Sequence, residues 1–149
     1  MKVYLVAGEP SGDKLGAELM AGLKSCAPFE LDFCGVGGFL MEEQGLTSLF
    51  PISEIAVMGI GEILAKYSFL KKRIKNTVDD ILRLKPDVLI TIDAPEFSLR
   101  VAKMVRKKIF INTIHYVAPT VWAWRPNRAK KISSYVDHIL ALFPFEPSY

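Results

Sequence analysis

Apolar and polar residues alternate along this chain with two different periods. Short runs of β-branched and other apolar residues predict strands, at residues 3–7, 31–35, 47–50, 87–92, 109–114 and 138–142. Segments of helical periodicity lie between them, at residues 13–25, 59–84, 95–107 and 126–133, and a short helix ends at Gly45. Ser68 is a candidate cap that would divide the 59–84 segment into two helices, and Pro86 ends the second.

This order of elements indicates the fold class. Parallel strands need long crossover connections, and here those connections carry the helices. The chain is therefore predicted to be α/β, with a Rossmann-like parallel sheet covered by helices on both faces. No linker or repeat interrupts the pattern, so residues 1–149 are interpreted as one domain.

Composition narrows the compartment and the chemistry. No apolar run approaches the ~18–20 residues that a membrane span needs. The first strand is too short for the core of a signal peptide, so the protein is expected to stay in the cytosol. Cys26 and Cys34 belong to no CxxC motif or Cys/His cluster. A structural zinc, a redox centre or another cofactor is therefore not expected.

The basic residues are clustered, although the formal net charge of +3 is too small to indicate a nucleic-acid partner. They form three groups: Lys66, Lys71, Lys72, Arg73 and Lys75; Arg100, Lys103, Arg106, Lys107 and Lys108; Arg125, Arg128, Lys130 and Lys131. Each group is either a solvated helix face or a contact with an anionic membrane surface or a phosphorylated substrate. Both interpretations stay open at this level.

The segment after the first predicted strand is rich in glycine. In an open parallel sheet, ligands bind outside the carboxyl ends of the strands. Glu9, Ser11, Gly12 and Asp13 lie at such an end, where glycine admits a ligand and a helix N-terminus offers free N–H groups. The spacing is not GxGxxG, so a dinucleotide site is not indicated. The alternative is a tight turn, with Ser11 or Asp13 as the helix cap.

Asp93 follows the most apolar strand of the chain. A bare carboxylate is costly to bury there, and a partly desolvated aspartate at the crevice suits a general base. Pro95 fits a first helical turn, and Asp93 and Glu96 have the spacing of a capping box. The pattern therefore allows a catalytic or a structural aspartate.

Two further segments are candidates for ligand contact: the aromatic segment after the strand predicted at residues 109–114, and an apolar segment beside the first basic group. Trp122 and Trp124 could stack on sugar rings while Arg125 holds a phosphate; the alternative is loop packing, with His115 as a core histidine. An apolar stripe with helical spacing lies beside the first basic group and is either core or a surface resting on lipid. Its members are Ile60, Ile63, Leu64, Tyr67 and Leu70.

Four strings carry a resemblance that none of them carries alone. AGEPSGD, AVMGIGE, TIDAPEF and HYVAPTVWAWR occur in this order, and together they resemble the lipid-A-disaccharide synthase family from Val3 to Glu146. The string FPFE after the last strand is similar to the exit of that family from its N-terminal domain. The chain departs from the family pattern at Glu96, where aspartate is expected, and at Ala118 and Thr120, where serines are usual.

The resemblance implies the N-terminal, acceptor-binding half of a two-domain glycosyltransferase of the GT-B type. The family joins UDP-diacylglucosamine to diacylglucosamine 1-phosphate (lipid X), with inversion, giving the β-1,6-linked disaccharide of lipid A biosynthesis. It implies no metal, a peripheral position on the cytoplasmic face of the inner membrane, and an inactive fragment without the C-terminal UDP-sugar domain. The oligomeric state is not implied.

The resemblance also implies roles for individual residues. Asp93 matches the general base that deprotonates the 6-hydroxyl of the acceptor, and the residues from Glu9 to Asp13 match the first cleft loop. Three rival interpretations remain. They are another sugar-nucleotide enzyme of the same fold, such as a peptidoglycan glycosyltransferase or a UDP-sugar epimerase; a non-catalytic lipid-binding half-domain; and a single-domain nucleotide- or flavin-binding protein.

Overall fold

The computed structural model describes residues 1–56, 63–118 and 131–142, without the side chains of residues 56 and 63–66. Its strands are β1 (Lys2–Ala7), β2 (Asp32–Val36), β3 (Thr47–Ser48), β4 (Val88–Ile92), β5 (Asn112–Tyr116) and β6 (His138–Leu140). Its helices within those ranges are α1 (Pro10–Cys26), α2 (Phe39–Glu43), α3 (Ser53–Ala56), α4 (Ile63–Leu84) and α5 (Ser98–Arg106).

The strands form one six-stranded sheet in the order β3-β2-β1-β4-β5-β6. Every pair of neighbours is parallel. The chain winds outward from β1 to β2 and β3, and then returns to place β4 on the other side of β1. The carboxyl ends of β1 and β4 therefore meet where the winding direction reverses, the usual ligand position in such sheets. The predicted α/β fold is confirmed.

Alternate residues of β1 enter two apolar cores, one on each face of the sheet. Leu5 packs with Met20 of α1 and Met41 of α2 on one face. Val6 packs with Val78 of α4 and Val101 of α5 on the other face. Burial of each such side chain stabilises the fold by about 1.5–3 kcal/mol, so both helical layers are held by the same central strand.

The long helix α4 corrects two expectations. It runs unbroken through Ser68, so the predicted division into two helices is wrong. Leu70 is only 6% exposed and lies in the same buried row as Ile74, Val78 and Ile81. A membrane contact for Leu70 is therefore wrong, because the three- and four-residue spacing of this row turns Leu70 onto the core face of the helix.

Three element boundaries also differ from the pattern. Helix α1 begins at Pro10, because proline suits a first helical turn and Glu9 before it is extended. Helix α5 begins at Ser98 and not near Pro95, because two left-handed residues follow β4. Strand β5 extends to Tyr116, which places His115 inside the sheet.

Candidate active site

The loops after β1 and β4 are in close contact. A Cβ atom at Gly8 would lie 2.6 Å from the Cβ of Ala94, so this approach requires glycine. Gly12 is buried where α1 packs against Ala7 of β1 and the end of β4. The Ser11 hydroxyl donates a hydrogen bond to Asp93 Oδ2 at 3.2 Å. The structure therefore brings together two residues that lie far apart in the sequence and that were both predicted for the site.

Asp93 has an unusual backbone. Its φ is +47° and that of Ala94 is +42°, a conformation that costs non-glycine residues about 1–3 kcal/mol each. Hydrogen bonds hold it in place: Asp93 N–H donates to the Tyr116 carbonyl at 3.0 Å, and the Ser98 hydroxyl donates to the Asp93 carbonyl. Such strain persists where surrounding structure enforces it, and it is common at functional sites.

The structure excludes the capping box proposed for this segment. The residue that precedes α5 is Phe97, with no side-chain cap, and Asp93 lies further upstream. Glu96 instead pairs with Arg100, with 2.7 Å between the carboxylate and guanidinium atoms. The Asp93 carboxylate is therefore not committed to a helix end. It is partly exposed at the switch point.

Asp13 has a different role. It is buried, and its carboxylate accepts hydrogen bonds from the N–H groups of Gly38, Leu40 and Met41 at 2.8, 3.1 and 3.1 Å. It therefore caps α2 from inside α1, and the proposal that it or Ser11 caps α1 is wrong. A role in substrate binding for Asp13 stays a prediction that rests on the resemblance alone.

A cavity of about 250 Å³ opens beside these loops. Its lining residues are Gly8, Glu9, Ile55, Ala94, Pro95, Glu96 and Phe97. Ile55, Pro95 and Phe97 supply apolar surface, and Glu9 and Glu96 supply carboxylates. Carboxylates accept hydrogen bonds from hydroxyl groups, so the cavity suits the hydroxyl-bearing face of a sugar.

His115 was expected just after a strand, with a core histidine as the alternative. It lies in β5 opposite Thr91 of β4 and is fully buried, which confirms the core position. Its Nδ1 atom is 2.8 Å from Thr91 Oγ1. Because the Thr91 hydroxyl donates to the Ile114 carbonyl at 3.3 Å, it accepts a hydrogen bond from the Nδ1–H group of His115. In the sequence, the contact between Thr91 and His115 is signalled only by the presence of a polar residue, Thr91, within an otherwise apolar strand.

Burial gives His115 a second property. It lowers the pKa of the imidazole to about 4, although the negative charge of Asp93 acts in the opposite direction. The ring is therefore neutral near neutral pH and adds no positive charge beside Asp93. Its Nε2 atom is buried and has no hydrogen-bond partner in the residues that the structure describes.

The other predicted site residues have mixed outcomes. Trp122, Trp124 and Arg125, and also Ile60, lie outside the described residues. Ile63 and Leu64 lie in α4, but their side chains are not described.

The Tyr67 ring is 41% exposed, between Lys71 Nζ at 4.5 Å and the Arg100 guanidinium at 5.9 Å. Its exposure and basic neighbours agree with the predicted surface stripe. Membrane contact at Tyr67 stays a prediction.

No group of three or more histidine, cysteine, aspartate or glutamate residues in residues 1–56, 63–118 and 131–142 is placed to hold a metal ion. None of the helices in those ranges has the length and apolar character needed to cross a bilayer.

Comparison with known proteins gives consistent matches along the chain. The family model for lipid-A-disaccharide synthetase matches residues 3–149. The lipid-A-disaccharide synthase of Ruegeria pomeroyi is 56% identical over 149 residues, which are 100% of this chain and 37% of that protein. The lipid-A-disaccharide synthase of Rhodospirillum centenum is 49% identical over 148 residues, with 99% and 37% covered. The chain thus spans about 37% of the length of these relatives.

Among solved structures, the chain is similar to a UDP-GlcNAc 2-epimerase from Neisseria meningitidis bound to UDP-GlcNAc. The TM-score is 0.59 at 14% identity, over 95% of this chain and 40% of the epimerase chain. At this identity the likeness concerns the fold alone. It agrees with the Rossmann-like sheet described above.

Proposed function

Because the chain belongs to the lipid-A-disaccharide synthetase family, we propose that the complete protein is an inverting glycosyltransferase. It transfers diacylglucosamine from UDP-diacylglucosamine to the 6-hydroxyl of diacylglucosamine 1-phosphate. Residues 1–149 supply the acceptor side of the cleft, and the remaining part of the protein binds the UDP-sugar. On this division the residues present here transfer no sugar by themselves.

The observation that carries the proposal is the position of Asp93. It lies at the switch point of the sheet, on a strained backbone, with a hydroxyl donor 3.2 Å away. In the proposed reaction its carboxylate accepts the proton of the acceptor 6-hydroxyl. The oxygen forms a bond with the anomeric carbon as the bond from that carbon to the UDP oxygen breaks, and UDP leaves with the electron pair.

The surroundings of Asp93 support this role. Glu9 and Glu96 line the cavity with oxygen acceptors for sugar hydroxyls. The neutral His115 ring places no cation against Asp93, so the negative charge of the base is not held in an ion pair with imidazolium. Gly8 and Gly12 allow the first loop to lie close to the β4 loop. Ser11, in the first turn of α1, acts on the substrate through Asp93.

The lipid substrates place the complete protein at a membrane surface, peripheral to the cytoplasmic face of the inner membrane. Exposed Tyr67 and its neighbour Lys71 support a contact there through the start of α4. We propose that Ile60, Ile63 and Leu64 belong to that contact, with the basic group that follows them. Trp122, Trp124 and Arg125 are proposed to hold the acceptor.

Substitution of Asp93 by asparagine in the complete protein tests the proposal. The variant keeps the size of the side chain but removes the base, so turnover with both lipid substrates should fall by about 10²–10⁴-fold while acceptor KM changes little. Asp79→Asn is the matched control, because that carboxylate lies on the outer surface of α4. Near-normal turnover of Asp93→Asn would remove Asp93 from the mechanism.

The rival interpretations differ in this assay. A non-catalytic lipid-binding protein would form no disaccharide even as the complete protein. A UDP-sugar epimerase would convert UDP-sugar without an acceptor. The likeness to the epimerase concerns the fold, so it gives no specific support to that reaction.

A further inference from the structure

A second, larger cavity lies at the carboxyl ends of β2 and β3. It has a volume of about 480 Å³, within the ~300–1,000 Å³ typical of small-molecule sites. Its lining residues are Gly37, Gly38, Phe39, Glu42, Ser48, Leu49, Phe50, Pro51, Ile52 and Ser53. None of the residues predicted for substrate or membrane contact from the sequence belongs to this lining.

The lining is suited to an apolar, uncharged occupant. Phe39, Leu49 and Phe50 supply apolar surface, and none of the lining residues is basic. The one charged lining side chain is Glu42, which would repel a phosphate or a carboxylate. A nucleotide or another anion is therefore a poor fit, whereas a hydrocarbon chain needs no polar partner.

Ser48, one of the two serines in the lining, has no need of a ligand. Ser48 Oγ accepts a hydrogen bond from Gly37 N–H at 3.2 Å. It is also within donor distance of the Gly37 carbonyl at 3.0 Å and the Phe50 carbonyl at 2.9 Å. Its hydrogen-bonding capacity is satisfied by the backbone, so Ser48 does not require a polar ligand.

The two cavities are neighbours, because an aromatic side chain from the lining of one contacts an aromatic side chain from the lining of the other. Phe50 lines the larger cavity, and Phe97 lines the smaller cavity beside Asp93. Their rings meet edge to face with centroids 6.5 Å apart. The larger cavity is therefore near enough to receive a chain attached to a ligand in the smaller cavity.

Exposed apolar side chains mark the entrance. Phe39 is 68% exposed and Leu49 is 39% exposed, and both line the larger cavity. Phe39 follows β2, so it lies at the carboxyl ends of the strands, as Asp93 does. Phe29 is also exposed, at 53%, but it precedes β2 and lies at the amino ends of the strands.

We propose that the 480 Å³ cavity binds one acyl chain of the glycolipid substrate, with Phe39 and Leu49 at its entrance. This inference rests on the proposed function, because the occupant is the chain attached to the sugar that Asp93 would deprotonate. The aromatic pair between the cavities separates the sugar from the chain. Contact with lipid would thus extend beyond the start of α4 to the ends of β2 and β3.

Direct binding of a hydrocarbon probe is the first test. The methyl ester of a polyene fatty acid is uncharged, and its fluorescence rises in an apolar site. We expect the double variant Phe39→Asp with Leu49→Asp of the complete protein to bind this probe at least about tenfold more weakly. Phe29→Asp is the control and should bind it as the unmodified protein does. Equal melting temperatures for all three proteins would show that folding is retained, because every changed side chain is exposed.

Chain length is the second test. Each buried methylene contributes about fourfold to binding, so acceptor KM of the unmodified protein should rise by about that factor for each methylene removed. The double variant should show a much weaker dependence on chain length, and Phe29→Asp should keep the full dependence. Unchanged probe binding, or an unchanged chain-length dependence in the double variant, would overturn the proposal.

The two proposals fail separately. If the complete protein forms no disaccharide but loses probe binding in the double variant, the proposed reaction is wrong and the hydrocarbon site stands. If disaccharide forms and the double variant binds the probe normally, the reaction stands and the acyl site is wrong.

Discussion

Two aspartates near the crevice differ in almost every physical respect. Asp13 is buried, and three backbone N–H groups of the α2 start surround its carboxylate. Asp93 is partly exposed, lies on a left-handed backbone, and accepts one side-chain hydrogen bond in the described ranges, from Ser11. The first carboxylate has few acceptor positions left, while the second can still accept a proton. The difference teaches that unused hydrogen-bonding capacity, more than the presence of a carboxylate, marks a reactive group.

The same contrast holds for the residues around each aspartate. Around Asp13, Gly38 is packed so closely that an added Cβ would lie 2.5 Å from the carboxylate, and the hydrogen bonds are complete. Around Asp93, two residues have positive φ, and the Nε2 atom of His115 has no partner in the described ranges. One region is optimised for stability and the other carries local costs, as functional sites often do.

The largest effect expected from this contrast concerns pH and His115. The imidazole pKa is about 4 in the folded protein and 6.5 ordinarily, so between these values the unfolded state binds more protons. Stability from this group is therefore complete above about pH 6.5 and is lost as the pH falls towards 4, by about 3 kcal/mol in total. His115→Gln should remove this part of the pH dependence.

Urea unfolding of the two proteins between pH 4 and pH 7 measures the difference. Asp137 also has a lowered pKa, caused by its hydrogen bonds to Thr113 N–H and Arg106 against an opposing effect of burial. That loss occurs at lower pH and is common to both proteins, so it cancels in the comparison. Parallel stability curves for His115→Gln and the unmodified protein would show that His115 is not buried as a neutral ring.

Asparagine at each aspartate tests the contrast directly. Asp13→Asn should lower the free energy of unfolding by about 2 kcal/mol, because charged acceptors of backbone N–H groups contribute about 1.5–3 kcal/mol and the amide replaces one acceptor oxygen by a donor. Asp93→Asn should stay within about 0.5 kcal/mol of the unmodified protein, as expected for a partly exposed position. Urea unfolding at one pH measures both. A larger loss at Asp93 than at Asp13 would reverse the assignment of the two roles.

The sequence predicted the frame of this site and the position of Asp93, but not the contacts that distinguish the two aspartates. The alternation of strands and helices was enough for a parallel sheet, and an apolar strand that ends in aspartate was enough to place Asp93 at the crevice. The bonds of Asp13 to α2 cross 25 to 28 residues, so no local pattern contains them. A helix was expected at Pro95 because proline suits a first helical turn. The left-handed backbone of Asp93 and Ala94, which delays the helix to Ser98, depends on tertiary contacts that a local pattern does not contain.

Sheet register and helix rotation account for two other differences. His115 was placed just after a strand because its pairing with Thr91 depends on the register of β5 against β4. Leu70 has helical spacing both to the stripe before it, which ends at Tyr67, and to the buried row after it, which begins at Ile74. The sequence allows either assignment, and the packing of α4 on the sheet decides for the buried row. Both properties arise from packing between elements, which the spacing of apolar residues does not specify.

The smallest expected effect concerns the link between the start of α1 and the loop after β4. Ser11→Ala removes the 3.2 Å hydrogen bond to Asp93 and suits the helical backbone at this position. A hydrogen bond of this kind contributes about 0.5–1.5 kcal/mol, so kcat of the complete protein should fall by about two- to tenfold. Because Ser11 acts through Asp93, the loss should appear in kcat with little change in acceptor KM. Ser11→Thr, which keeps the hydroxyl, should restore most of the rate.

In the Asp93→Asn background, Ser11→Ala should have almost no further effect, since the base that Ser11 positions is already absent. A rise in acceptor KM at constant kcat would instead show that Ser11 contacts the substrate directly, as the resemblance implies, and that Asp93 is held in place by its backbone alone.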